Sequence, residues 1–170
     1  GTSSIWGPTG TNTGINSLID GPANTASLVA LGSSYKAANY CNNLTTGGYS
    51  DWYLPAFNEL LTMYYNLKPS TVSNVTTSDA VGVMGYNANA VSPEPINTGY
   101  TTTNPLQTTS AAFKTSGSEH FGTFTYRCST DYSSDYAREM RFHDGYRYLN
   151  NVKTPSYYGM YVRAIRRVAV

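Results

Sequence analysis

The sequence predicts a single α+β domain in which helices come first and a small antiparallel sheet follows. Two segments in the first half have helical spacing of apolar residues, and several short strand-like segments separated by turn signals occupy the last third. No regular alternation of strands and helices, as in a parallel sheet, is present. Because 170 residues suffice for one hydrophobic core, we expect residues 1–170 to form one domain.

Both predicted helices lie between residues 33 and 67. In residues 33–44 a serine can cap the start and two glycines follow the end, and the predicted buried side consists of Tyr35, Ala38, Cys41 and Leu44. Residues 54–67 show the stronger i, i+3, i+4, i+7 pattern, at Phe57, Leu60, Leu61 and Tyr64. We expect Pro55 at the first position of this helix and its end before Pro69.

A long polar segment, residues 68–118, separates the helices from the predicted sheet. It is rich in Thr, Ser, Asn, Gly and Pro, is too long for a plain connection, and contains one short strand candidate at residues 81–86. We expect packed irregular loops there. Strand-like runs follow at residues 121–128, 137–142, 146–149 and 157–168, with turn signals at Asp144-Gly145 and Thr154-Pro155.

The charge balance is even overall but uneven along the chain. Eleven basic and ten acidic residues give a net charge of +1, which argues against a general nucleic-acid binder. From Arg127 onward, however, eight basic residues face four acidic ones. The chain also holds 16 tyrosines, a residue that binding surfaces use heavily and that β-rich proteins also favour. No apolar run reaches transmembrane length, so we expect no membrane insertion.

Signatures of catalysis and of cofactor binding are sparse. The sequence has no phosphate-binding loop, no dinucleotide fingerprint and no His-Glu-x-x-His motif, and its histidines lack partners at metal-ligand spacing. Two cysteines, Cys41 and Cys128, are too few for a disulfide framework, although they could form one bond. We therefore expect a protein that is not an enzyme and has no cofactor.

Residues 37–67, AANYCNNLTTGGYSDWYLPAFNELLTMYYNL, resemble a bacterial and phage family marked by Gly-Gly-Tyr-x-Asp-Trp-(Tyr/Arg)-Leu-Pro before a Glu-Leu helix. The family includes C-terminal domains of Legionella collagen-like adhesins and tips of phage tail proteins. The opening of the chain, residues 126–137 and the ending YYGMYVRAIRRV resemble the family too. The resemblance implies a C-type-lectin-like fold of the formylglycine-generating-enzyme branch, with two helices, a small antiparallel sheet and long irregular loops.

The motif itself is expected to be scaffold. Trp52 and Leu54 would enter the core from a tight turn, so that residues 47–61 fold the protein without binding a ligand. The departures from the family lie further on, where Arg127 and Cys128 replace the usual Trp-Ser and Arg138 replaces a Trp. An unpaired buried guanidinium is very costly, so we expect this face to be exposed. The change at Cys128 also weakens the disulfide alternative.

Residues 126–150 are accordingly interpreted as a displayed recognition surface. Tyrosines offer flat faces for sugar rings or apolar patches, arginines offer forked donors for acidic groups, and Asp131, Asp135 and Asp144 can bind sugar hydroxyls. The predicted ligand-binding residues are Arg127, Asp131, Tyr132, Asp135, Tyr136, Arg138, Arg141, His143, Tyr146, Arg147 and Tyr148. The mixture suits an acidic bacterial surface glycan or a protein receptor.

The resemblance implies a non-enzymatic, often trimeric receptor-binding module outside the cell. It would be the C-terminal part of a longer fibre or surface protein, as a phage tail-fibre tip or a bacterial adhesin. Related lectin-fold proteins are diversified by retroelements that favour Tyr, Asp, Ser, His, Arg, Cys and Gly, which gives a sharper hypothesis for residues 126–150. Alternatives are a trimerisation cap of a fibrous stalk and, by fold analogy alone, an enzyme of the formylglycine-generating type. A structural calcium ion at residues 94–97, EPIN, also remains an alternative.

Overall fold

The chain folds as an α+β domain with three helices and one sheet. The computed structural model describes residues 2–75, 101–154 and 160–168. In chain order the elements are β1 (Thr2–Ser3), α1 (Gly21–Ala30), α2 (Lys36–Asn42), a 3-10 helix (Thr46–Gly48), α3 (Phe57–Leu67), β2 (Thr125–Asp131), β3 (Tyr136–Arg141), β4 (Arg147–Val152) and β5 (Met160–Val162). The strand candidate at residues 81–86, the calcium alternative at 94–97 and Pro155 lie outside the described residues.

The five strands form one sheet in the order β1-β5-β2-β3-β4. Strands β2, β3 and β4 make an antiparallel meander, and β1 pairs antiparallel with β5. Strand β5 returns to the far side of β2 and runs parallel to it. The prediction of a purely antiparallel sheet is therefore wrong at this one pair. The turn at Asp144-Gly145 is confirmed, and Gly145 adopts the left-handed backbone conformation that such a turn uses.

Both predicted helices exist, with different starts. Helix α2 begins at Lys36 with no side-chain cap, so the expected serine cap is wrong. Helix α3 begins at Phe57, and the Glu59 carboxylate accepts a hydrogen bond from the Ala56 backbone N–H at 2.8 Å. Pro55 thus precedes the helix instead of opening it. The helix ends at Leu67, before Pro69 as predicted.

Helix α1 is an element that the sequence analysis did not predict. It starts with a glycine and a proline after Asp20, whose carboxylate accepts a hydrogen bond from the Ala23 N–H at 3.3 Å. Gly21 lies so close to the Tyr53 ring and the Glu59 carboxylate that an added Cβ would approach both within 2.6 Å. Glycine at this position therefore lets α1 pack directly against the segment that precedes α3.

Two buried clusters form the core. One packs α3 against β2 and β3 and contains Cys128, and the other joins α1 and α2 to the sheet and contains Cys41. Both cysteines are buried and free, so the disulfide alternative is wrong. Trp6 belongs to the second cluster, and its indole N–H donates to the Cys128 carbonyl at 2.7 Å. This bond fixes the N-terminal segment against the strand from which the predicted recognition surface starts.

Candidate functional site

The hairpin of β2 and β3 is the scaffold of the candidate site. Its connection, residues 132–135, is closed by hydrogen bonds from the Tyr132 and Ser133 backbone N–H groups to the Tyr136 carbonyl. The N-terminal segment supports the connection from outside, because the Gly10 N–H donates to the Asp135 carboxylate at 3.0 Å. The tip of this hairpin is therefore held at both sides, which suits a surface that presents side chains in a fixed arrangement.

Arg127 does not belong to an exposed surface. Its side chain is fully buried and forms an ion pair with Glu139, the residue directly opposite on β3. The Arg127 guanidinium also donates to the Val152 carbonyl at 3.2 Å. The expectation of exposure rested on the cost of an unpaired buried arginine, and the error is that Arg127 is paired. The recognisable signal was Glu139, which the hairpin register places opposite Arg127.

Asp131 is buried in the same way. Its carboxylate lies 2.8 Å from the Lys153 ammonium group, and both side chains are buried. It also accepts hydrogen bonds from the Thr13 hydroxyl at 2.6 Å and the Tyr132 N–H at 2.8 Å. Arg147 is buried too, with 2% of its surface exposed. Asp131, Arg127 and Arg147 are thus structural residues, and their assignment to a displayed surface is corrected.

A second group of predicted residues collects at the turn between β3 and β4. The Arg141 guanidinium pairs with both carboxylate oxygens of Asp144, at 2.9 and 2.6 Å, and donates to the Tyr148 hydroxyl at 3.2 Å. The Tyr146 ring centroid lies 5.4 Å from the Arg141 guanidinium carbon and 4.6 Å from the Tyr148 ring centroid. Asp144 itself is buried. Because Asp144 and Tyr148 already engage the Arg141 guanidinium, the charge of this turn is largely neutralised within it.

Burial and hydrogen bonding act in opposite directions on Asp144. Burial alone raises the pKa of this carboxyl, but hydrogen bonds from Arg141 and from the Tyr146 backbone outweigh it and hold the pKa below its usual range. The Asp144 carboxylate raises the pKa of the Arg141 guanidinium in return. His143, in the same turn, is half-buried, and its carbonyl accepts a hydrogen bond from the Ser70 hydroxyl at 3.3 Å.

The remaining predicted residues form what we call the hairpin surface, which consists of Tyr132, Asp135, Tyr136 and Arg138. Tyr132 and Tyr136 expose 47% and 38% of their surfaces, high values for such large rings. Asp135 is exposed and Arg138 is half-buried. Tyr136 opens β3 whereas Arg141 ends it, so the hairpin surface and the turn cluster occupy opposite ends of this strand. The structure therefore divides the eleven predicted residues into buried, self-paired and displayed groups.

Arg138 differs from the other arginines of the hairpin. Its guanidinium carbon lies 5.6 Å from the Phe57 ring centroid and 5.3 Å from that of Tyr132. Its Nε is buried and has no hydrogen-bond partner, and no acidic side chain among residues 2–75, 101–154 and 160–168 pairs with it. A guanidinium packed against rings keeps its in-plane donors for other partners. Arg138 is thus a cation that no described acid pairs, next to the exposed Tyr132 ring and two residues from the exposed Tyr136.

A cleft that no sequence pattern predicted lies beside α3. It has a volume of about 420 Å³ and lies between α2, α3 and the end of β5. Trp52, expected in the core, is only half-buried and lines this cleft together with Met63 and Phe121, whereas Leu54 is fully buried as predicted. An ion pair between Arg163 and Glu119, 2.6 Å apart, borders it. The expectation that Trp52 enters the core is therefore wrong, and the expectation for Leu54 is confirmed.

Neither a metal centre nor a membrane-spanning helix occurs in the described part of the chain. No group of three or more His, Cys, Asp or Glu residues there could hold a metal ion. No helix among the same residues is long and apolar enough to cross a membrane. Comparison of the chain with protein-family models, with curated proteins and with solved structures gave no match.

Proposed function

We propose that this chain is a non-enzymatic receptor-binding domain that recognises a bacterial surface glycan or protein. The observation that carries the proposal is the hairpin surface, where Tyr132 and Tyr136 are exposed beside Arg138, whose donors no described acid uses. Tyrosine presents a large rigid face at low entropic cost, and arginine supplies directional donors, so the combination suits recognition of a polar partner.

The proposed fold and setting follow from the resemblance of residues 37–67 to adhesin and tail-tip domains. We propose a C-type-lectin-like fold, for which three helices, one small sheet and extended irregular segments are compatible features. The domain would then lie outside the cell, as the tip of a phage tail fibre or of a bacterial adhesin, and would assemble as a homotrimer. The exposed rings of Tyr132 and Tyr136 would remain accessible at the tip of such an assembly.

Retroelement diversification of the hairpin is part of this proposal. Tyr132, Asp135 and Tyr136 are exposed and Arg138 is half-buried, so exchange at these positions disturbs the fold less than exchange of Arg127 and Asp131, which are buried in ion pairs. A diversified gene should therefore vary at the four positions of the hairpin surface and keep Arg127 and Asp131. Sequencing the gene's neighbourhood tests this, because a near-identical template and a reverse transcriptase must be present.

Binding of the labelled domain to a panel of bacterial cells and purified surface polysaccharides tests the proposed function. Selective binding to some members of the panel supports a receptor-binding domain. Equal binding to all members, or to none, contradicts it.

A trimerisation cap is the second candidate, and one observation favours it. Strand β4 lies at an edge of the sheet and exposes Val152, which pairs with the exposed Tyr136 on β3. Edge strands with apolar side chains are common sites of self-association. Light scattering over a range of protein concentrations tests this candidate. A stable trimer without binding to any cell favours the cap, and a monomer excludes it.

A further inference from the structure

We infer that Arg138 anchors a carboxylate, and hence that the partner of the hairpin surface is an acidic sugar of the uronate class. The inference rests on the proposed function and specifies the chemistry of that same site. Arg138 contrasts with the two other arginines of the β2–β3 hairpin, Arg127 and Arg141. Arg127 pairs with Glu139 and Arg141 pairs with Asp144, so neither has its charge available.

Two rings next to Arg138 prepare it for one kind of partner. The Phe57 and Tyr132 ring centroids lie 5.6 and 5.3 Å from the guanidinium carbon, and packing against them restricts the motion of the group. A guanidinium held in this way offers its planar fork of N–H donors, which matches the two oxygens of a carboxylate. The buried Nε also lacks a partner, and the terminal N–H groups of this half-buried side chain provide the fork that a ligand meets. Fixing the group before binding also lowers the entropic cost of binding.

The local charge favours a single negative charge over a densely charged ligand. Arg138 is one cation, and Asp135 lies three residues away in the connection of the same hairpin, where it already accepts hydrogen bonds from Gly10 and Ser134. A phosphate or a heavily sulfated chain needs several cations and would be repelled by Asp135. One carboxylate on an otherwise neutral sugar fits this balance, and the Asp135 oxygens can accept from a sugar hydroxyl.

The spacing along β3 allows one sugar residue to reach both the Tyr136 ring and the Arg138 guanidinium. Tyr136 is exposed, Ala137 is buried and Arg138 is half-buried, and this alternation within β3 indicates that Tyr136 and Arg138 share one side of the strand, next to the irregular pairing with β4 between Ala137 and Glu139. Residues two apart in a strand are separated by roughly 6.6 Å. A pyranose ring can therefore lie on the Tyr136 ring while its carboxylate meets the Arg138 guanidinium.

The arginine side-chain N–H signals in an NMR spectrum provide the direct test. The folded domain, labelled with ¹⁵N, is titrated with sodium glucuronate and, in parallel, with glucose and with the methyl ester of glucuronate. The Arg138 Nε–H signal, identified by its loss in Arg138→Lys, should shift with glucuronate and stay in place with both neutral sugars. An equal response to the three sugars, or none, overturns the inference. This measurement can be made without knowing the natural receptor.

Cell polysaccharides separate failure of this inference from failure of the proposed function. A polysaccharide that binds the domain is compared before and after chemical reduction of its carboxylates to alcohols. Reduction, or the substitution Arg138→Gln, should weaken binding about ten- to hundredfold, the range for a hydrogen bond to a charged group. If native and reduced forms bind equally, the inference is wrong although the receptor function stands. If no polysaccharide or cell binds, the receptor function is wrong and the NMR titration alone decides the inference.

Arg166 provides the matched control. Its guanidinium carbon lies 3.7 Å from the Tyr49 ring centroid, but the group is already paired with Asp51 at 2.8 Å. The substitution Arg166→Gln removes the same charge and a similar ring contact, and it should leave glucuronate binding unchanged. Equal loss of binding in Arg166→Gln and Arg138→Gln would show that net charge, and not the Arg138 site, attracts the ligand.

Discussion

The substitution Asp131→Asn separates structural from ligand-binding acids in the hairpin. Asp131 and Asp135 are both acidic residues of one short segment, but Asp131 pairs with buried Lys153 at 2.8 Å whereas Asp135 is exposed. Removing one partner of a buried ion pair costs about 3 to 5 kcal/mol, because the other charge stays buried. For a chain of this length each kcal/mol lowers the melting temperature by about 2 to 4 °C. Asp131→Asn should therefore melt about 6 to 20 °C below the unchanged protein.

Urea unfolding, followed by tryptophan fluorescence, measures this cost directly. Asp135→Asn is the control, and its free energy of unfolding should change by no more than about 0.5 kcal/mol, as for ordinary surface positions. Adding Lys153→Met to Asp131→Asn should recover part of the loss, since no unpaired charge then remains. If Asp131→Asn is as stable as Asp135→Asn, the buried pair does not stabilise the fold. Asp131 would then not be a structural residue.

Three further predictions concern the core and the turn cluster. Burial raises the pKa of the Cys128 thiol to about 12 and also raises that of Cys41, so neither should react with a thiol reagent until urea unfolds the chain. The lowered pKa of Asp144 contributes stability above its ordinary pKa of about 3.9 that is lost as the pH falls, so Asp144→Asn should show a shallower loss of stability in acid than the unchanged protein. Trp6→Phe removes the donor to the buried Cys128 carbonyl and should cost about 1 to 3 kcal/mol in urea unfolding.

The helices show how far local patterns reach. The spacing of Phe57, Leu60, Leu61 and Tyr64 predicted α3, and all four residues are buried in the core. Helix α1 was missed because its residues, GPANTASLVA, carry a weak apolar pattern and begin with two residues typical of turns. Its position depends on Gly21 packing against Tyr53, a contact between segments 32 residues apart that no local pattern records.

The strand order of the sheet and the burial of charges in the hairpin depend on pairings between distant residues, which local sequence patterns do not predict. All four strand regions of the last third were recognised, with shifted ends, but the parallel pairing of β5 with β2 requires knowing where the chain returns. Residue types correctly indicated a polar and aromatic hairpin. They did not indicate which charges are buried, because Arg127 and Asp131 are satisfied by Glu139 across the hairpin and by Lys153 beyond β4.

Trp52 shows the opposite error. Its place in a motif with scaffold character predicted burial, yet the ring lines a cleft, and its indole N–H donates to the Thr46 carbonyl at 3.2 Å. Tyr53, the next residue, takes the buried position and bonds the Glu59 carboxylate at 3.0 Å. Neighbouring side chains in an extended segment point to opposite sides, so only one of the two rings can enter the core. The pairing of Tyr53 with Ile165 determines that this ring is Tyr53.

Removal of the two exposed tyrosine rings tests whether the hairpin surface recognises a cell-surface partner. The double variant Tyr132→Ala with Tyr136→Ala is compared with Tyr49→Ala, which removes an equally exposed ring elsewhere on the molecule. Cell binding of each variant is measured after unfolding curves have established that both are folded. The hairpin variant should lose binding, and Tyr49→Ala should retain it. Full binding by a folded hairpin variant would contradict the claim.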